Sequence, residues 1–148
     1  MLKYEAYRHM YEDLKKALIA GFYYQAIFIE YAILEDRLTS VLKNAGIPYL
    51  TKSGRDVNIS EKINRIEGRP ELATAFVQKH LSSELVDSLK SWLQDRNDLI
   101  HHLASIPYDD ERVRTTAEKG AEICRQIKNA TDAVNRHIKK AANKYQSE

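Results

Sequence analysis

The sequence predicts an all-α protein, an up-and-down bundle of four principal helices with one or two short ones. Three observations carry that expectation. Only five Gly and three Pro punctuate 148 residues, and Ala, Leu, Ile, Glu, Lys and Arg, which favour helices, dominate the rest. Apolar residues recur every third or fourth position over long stretches. The stop signals fall at a few well-separated places. With 43% apolar residues, a chain of this length can bury a core without disulfides or a structural metal, so residues 1–148 are expected to form a single helical domain.

Taken in order, Tyr4, Tyr7, Met10, Tyr11, Leu14, Ala17 and Leu18 define a first amphipathic helix ending near Gly21, with its tyrosines expected in the core. From Phe22 to about Asn44 apolar residues point all round the helix, which marks this as the central one. Asn44-Ala45-Gly46-Ile47-Pro48 stops it, and a loop continues through Ser53-Gly54-Arg55-Asp56. Asn58, followed by Glu61, resembles a capping box for a short helix carrying Ile59, Ile63 and Ile66. A second short helix is expected from about Pro70 to His80. Ser82 or Ser83 caps a stronger helix through Leu85, Leu89, Trp92, Leu93, Leu99, Ile100 and Leu103, closed by Ile106-Pro107. Asp109 or Asp110 caps the last, through Val113, Ala117, Ala121, Cys124, Ile127, Val134 and Ile138. Tyr31, Ile33, Leu34, Leu89, Trp92, Leu93 and Ile127 are expected to be buried.

Net charge is only +2, too small to argue for a nucleic-acid partner from the whole molecule. The segment from Ile123 to Glu148 is locally basic, with Arg125, Lys128, Arg136, Lys139, Lys140 and Lys144 against Asp132 and Glu148; a solvated helix face or an RNA-backbone contact would use such a segment. The lone Cys124 excludes an intramolecular disulfide and fits a cytoplasmic protein. Charged residues stand where a signal peptide needs its apolar stretch, and Glu30 interrupts the most apolar run, so no membrane span is expected.

No Gly-rich phosphate loop, Cys-x-x-Cys, His-Glu-x-x-His or Gly-x-Ser-x-Gly occurs, and no cofactor is expected. No metal is expected either, because Asp98, His101 and His102 supply too few ligands on one helix face. The anomaly is Arg96. On a helical wheel it falls within the stripe formed by Leu85, Leu89, Trp92, Leu99, Ile100 and Leu103. A guanidinium keeps its charge, so this position calls for a buried carboxylate, with Glu30 and Glu35 the candidates, or for an opening in the core. His101 follows five residues later near the helix end, with Asn97 four positions before it.

The run Arg96-Asn97-Asp98-Leu99-Ile100-His101 resembles the motif of the HEPN (higher eukaryotes and prokaryotes nucleotide-binding) superfamily, an Arg, a polar residue, a short spacer and a His. Phe22 to Glu35 is similar to the second helix of such domains, and the bundle resemblance covers most of the chain. His102 also satisfies the spacing. The resemblance implies a metal-independent endoribonuclease of toxin or defence type, usually a homodimer, with RNA as substrate and a possible antitoxin protein encoded elsewhere. It implies Arg96 and His101 as catalytic residues, with Asn97, Asp98 and His102 supporting. The alternatives are a non-catalytic HEPN-like module binding a nucleotide, RNA or protein, and an unrelated helical adaptor in which Arg96 pairs with Glu30 or Glu35.

Overall fold

A computed structural model of the chain describes residues 2–103 and 110–146, and these are all-α. The four long helices are α1 (Leu2–Ala20), α2 (Tyr23–Asn44), α5 (Ser83–His101) and α6 (Asp110–Gln146); between α2 and α5 lie the short α3 (Ile59–Glu67) and α4 (Ala75–His80). The chain divides into two compact units, Met1–Leu34 with Asp87–Arg125, and Glu35–Val86 with Gln126–Glu148.

Local chemistry sets most helix ends. Both α1 and α2 stop in the same way, at Gly21 (φ 78°) and Gly46 (φ 68°). In each case the residue after the glycine donates back across the last turn, Phe22 N to Ala17 O at 2.9 Å and Ile47 N to Leu42 O at 2.9 Å. Glycine adopts that left-handed conformation without steric cost, which satisfies carbonyls the helix leaves open. Asn58 Oδ1 accepts from Glu61 N at 2.8 Å and starts α3. The reciprocal half of the expected box is replaced, since Glu61 Oε1 accepts from Arg65 Nε at 3.1 Å. Ser82 Oγ caps α5 by accepting from Leu85 N.

Several expectations are corrected. The segment from Pro70 to His80 is not one helix: a 3-10 turn, Pro70–Leu72, precedes α4, because Thr74 caps a new start by accepting from Val77 N. Helix α5 ends at His101, short of the expected Ile106-Pro107, which lies outside the described residues, as does the candidate cap Asp109. The tyrosines of α1 are not core. Tyr4 is exposed, while Tyr7 and Tyr11 are half-buried with their hydroxyls 3.3 Å apart, an arrangement that keeps the phenol oxygens hydrogen-bonded. Nor is α2 apolar-buried all round: Phe28 is exposed, as is Phe22 just before the helix, while Glu30 is fully buried. The loop before α3 is held down by burial of Ile47 and Val57 and by an antiparallel bridge between Leu50 and Asp56.

In the first unit, Ala26, Ile27, Ile33 and Leu34 of α2, Leu89, Trp92, Leu93 and Leu99 of α5, and Val113, Ala117, Ile123 and Cys124 of α6 are buried. Trp92 Nε1 donates to Thr116 O at 3.0 Å, giving a buried indole the partner it needs. One turn further along α6 stands Gly120. A Cβ there would press into Glu30 Oε1 and lie 2.6 Å from Trp92 Nε1.

The second unit buries Leu38, Val41, Leu42, Ile59, Ile63, Leu72, Val77, Ile127 and Val134. Its one fully buried cation among the described residues, Lys62, lies 3.2 Å from both Glu35 Oε1 and Asp56 Oδ2. Arg37 donates to Asp132 Oδ1 at 3.2 Å, and Asn135 donates to Ser40 Oγ at 3.0 Å.

Helix propensity alone favours Gly120→Ala by about 1 kcal/mol. The close approach of Glu30 and the hydrogen-bonded Trp92 reverses that sign. We expect G120A to lose about 1–3 kcal/mol of stability through overpacking, measured by urea unfolding. A stabilised G120A would show that the two side chains do not lean on the α6 backbone.

Candidate functional site at the end of α5

The last two turns of α5 carry every residue of the Arg96–His101 run. Period 3.6 places Trp92, Arg96 and Leu99 along one edge; Trp92 and Leu99 are buried and Arg96 is half-buried between them. Its Nε is buried without a hydrogen-bond acceptor. Its Nη1 donates to Asn97 Oδ1 at 3.0 Å, and its Cζ lies 4.0 Å from the centroid of the Tyr31 ring. A weakly hydrated, planar guanidinium is attracted to the face of an aromatic ring, typically by about 0.5–2 kcal/mol.

The expected carboxylate partner is therefore replaced by an aromatic one. Both carboxyl oxygens of Glu30 lack a hydrogen-bond partner, and Glu35 instead accepts from Lys62. Among the described residues Arg96 forms no ion pair, and Asp98, the acid two positions along, accepts from Gln94 instead. Tyr31, expected to be buried, is half-buried, with the guanidinium against its ring. Its position one residue after Glu30 was the available signal, obscured because a tyrosine inside an apolar run reads as core.

The remaining members of the run face outward to different degrees. Asn97, His101 and His102 are exposed and Asp98 is half-buried. Asp98 Oδ1 accepts from Gln94 Nε2 at 3.0 Å, and its backbone oxygen accepts from His102 N at 3.2 Å, which extends the helical pattern past His101. The structure thus brings Arg96, Asn97 and Tyr31 into direct contact. It places His101 at the exposed end of the same helix with His102 just beyond it, and it pairs neither Glu30 nor Glu35 with Arg96.

Glu30 stands apart chemically. Burial pushes its carboxyl up to about 9, so at neutral pH it is an uncharged acid. Cys124 Sγ donates to Glu30 O at 3.5 Å, and burial raises that thiol as well, with the nearby Glu30 as the second cause. Neither group is a nucleophile or a base in this setting.

No family model, curated protein or solved structure matches the chain. No helix among the described residues is long and apolar enough to cross a membrane. Nor do those residues contain a group of three or more His, Cys, Asp or Glu that could hold a metal ion.

The raised Glu30 carboxyl makes stability depend on pH with a definite sign. Between the ordinary carboxylate range and about pH 9, the folded chain holds a proton that the unfolded chain has released. The stabilisation is complete below the unfolded value and is lost as pH rises towards the folded one, by up to about 1.4 kcal/mol per pH unit. Urea unfolding between pH 6 and pH 8.5 should therefore show wild type losing stability relative to Glu30→Gln. Parallel pH profiles for the two proteins would mean that Glu30 ionises normally.

Proposed function

We propose that this chain is a metal-independent endoribonuclease of HEPN type, with Arg96 and His101 as its catalytic pair. One observation carries the reading. Arg96 is held against Tyr31 and a neutral amide, with no carboxylate paired to it among the described residues, so its charge remains available to an anion, and an exposed imidazole stands five residues away on the same helix. A ring face and an amide oxygen hold the guanidinium in place without cancelling its charge, which suits recognition of a phosphate.

In the proposed reaction His101 accepts the proton of a ribose 2′-hydroxyl. The 2′-oxygen attacks the adjacent phosphorus, the bond from phosphorus to the 5′-oxygen breaks, and that oxygen leaves with a proton from water. The products are a 2′,3′-cyclic phosphate and a 5′-hydroxyl. Histidine suits the proton transfer because imidazole titrates near neutrality. Arg96 stabilises the charge that builds on the phosphorane oxygens. Asn97 positions Arg96 through the Nη1 contact, while Asp98 and His102 support the helix end.

Five helical steps turn His101 about 140° away from Arg96, so one undistorted helix does not aim both groups at one phosphate. A two-fold homodimer supplies each with its counterpart from the second copy. In this reading the protein acts on cytoplasmic RNA as a toxin or defence nuclease, restrained by an antitoxin protein encoded elsewhere.

Purified protein should cleave single-stranded RNA in the presence of chelator. Arg96→Ala and His101→Ala should each lower the rate by about 10²- to 10⁴-fold with helical circular dichroism unchanged, while His102→Ala retains activity. Products carrying a 5′-phosphate would rule out the 2′-hydroxyl mechanism. Equal residual activity in wild type and both principal variants would make the chain a binding module.

A further inference from the structure

A second cluster of unpaired cationic and aromatic groups lies in the second unit, on residues that the ribonuclease reading does not use. Helix α6 presents Ala133, Arg136, His137 and Lys140 at i, i+3, i+4 and i+7, hence on one face, and α4 faces them with Phe76 and His80. Together these six residues line a cavity of about 250 Å³. The imidazole of His137 stacks on the Phe76 ring at 4.2 Å with 15° between the planes, and His80 approaches the same ring at 4.7 Å, tilted by 49°.

The lining is unusual in charge as well as in shape. Among the described residues that line it are an arginine, a lysine and two histidines and no carboxylate. The nearest acid in sequence, Asp132, is already engaged by Arg37 and Lys128. Arg136 and Lys140 are exposed, Phe76 remains 38% exposed, and Ala133 is 9% exposed. A small residue between an aromatic wall and two cations leaves space for a flat ring beside an anion. The part of Phe76 left in water is apolar surface that a stacked ligand ring would cover.

We infer that this cavity binds a nucleotide unit, its base against the Phe76–His137 wall and its phosphate on Arg136 and Lys140. The volume lies below the roughly 300–1,000 Å³ of sites for drug-sized ligands, which fits one nucleotide and not a dinucleotide cofactor. Arginine and lysine one turn apart hold a phosphate by charge-assisted hydrogen bonds. Base-on-aromatic stacking tolerates any base. The nucleotide has two sources, a free mononucleotide or one residue of a single-stranded RNA continuing along the basic face of α6 past Lys139 and Lys144.

The test uses the full chain and three probes: inorganic phosphate, adenosine monophosphate, and a 2′-O-methyl RNA oligonucleotide that cannot undergo 2′-hydroxyl attack. Binding is followed by calorimetry and by shifts of the Phe76 and His137 ring resonances. Arg136→Ala with Lys140→Ala should weaken the nucleotide probe by about tenfold or more. Phe76→Leu should weaken adenosine monophosphate while leaving the response to inorganic phosphate unchanged. Saturation by adenosine monophosphate identifies a mononucleotide site; binding of the oligonucleotide alone, with a salt dependence reduced in the double variant, identifies a strand site. The inference is overturned if no probe shifts the ring resonances, or if the double variant binds as wild type does. Arg96→Ala serves as the reference, since loss of RNA cleavage there leaves the nucleotide response at Phe76 intact.

Discussion

The first unit is organised around a carboxyl group pressed, without charge, against a helix backbone. Along one face of α6, at successive intervals of four residues, Thr116 O receives the Trp92 indole, Gly120 admits Glu30 and Trp92, and Cys124 reaches Glu30 O. These three contacts tie α2 and α5 to consecutive turns of α6. A register slip of one residue would put a Cβ where Glu30 and Trp92 lie, which makes Gly120 the point where the three helices must agree. An ionised carboxylate could not remain there without a partner, because the desolvation cost of the charge has nothing to offset it. The protonated form resolves the conflict.

The second unit meets the same problem by pairing. Lys62 is as buried as Glu30, yet it keeps two carboxylates at 3.2 Å, and both of these are partly exposed. Removing one partner of such a cluster is costly, since the remaining buried charge is then uncompensated. Asp56 comes from the loop before α3 and Glu35 from α2, so the ion cluster holds a stretch with little regular structure onto its unit. The two units thus show two responses to buried polarity, neutralisation in one and ion pairing in the other.

Arg96 follows neither course. Its guanidinium rests on Tyr31, with Nη1 on Asn97 and Nε unsatisfied. A ring face orients a cation while leaving its charge in place, whereas a carboxylate would orient and cancel it together. That difference separates an arginine that holds a core together from one that can meet a phosphate. Arg136 and Lys140 share a pocket with Phe76, His80 and His137, and among the described residues no carboxylate lines it.

The helices and much of the core were legible in the sequence. Ile33, Leu34, Leu89, Trp92, Leu93 and Ile127 are buried as their periodicity requires, and Gly21, Gly46, Asn58 and Ser82 end or start helices by chemistry that depends only on neighbours in the chain. Arg96 also stood out from the sequence, because a charge in an apolar stripe breaks a local pattern. Its partner did not. Helical period gives the direction of a side chain from its own axis and says nothing of which residue on another helix meets it, so Glu30 and Glu35 were as plausible as Tyr31. The tertiary structure also decided that Glu30 is buried while Phe28 is exposed, and that Phe76 meets His137. Such contacts depend on how helices distant in sequence are rotated and staggered against one another, and a single chain's local pattern carries no record of that choice.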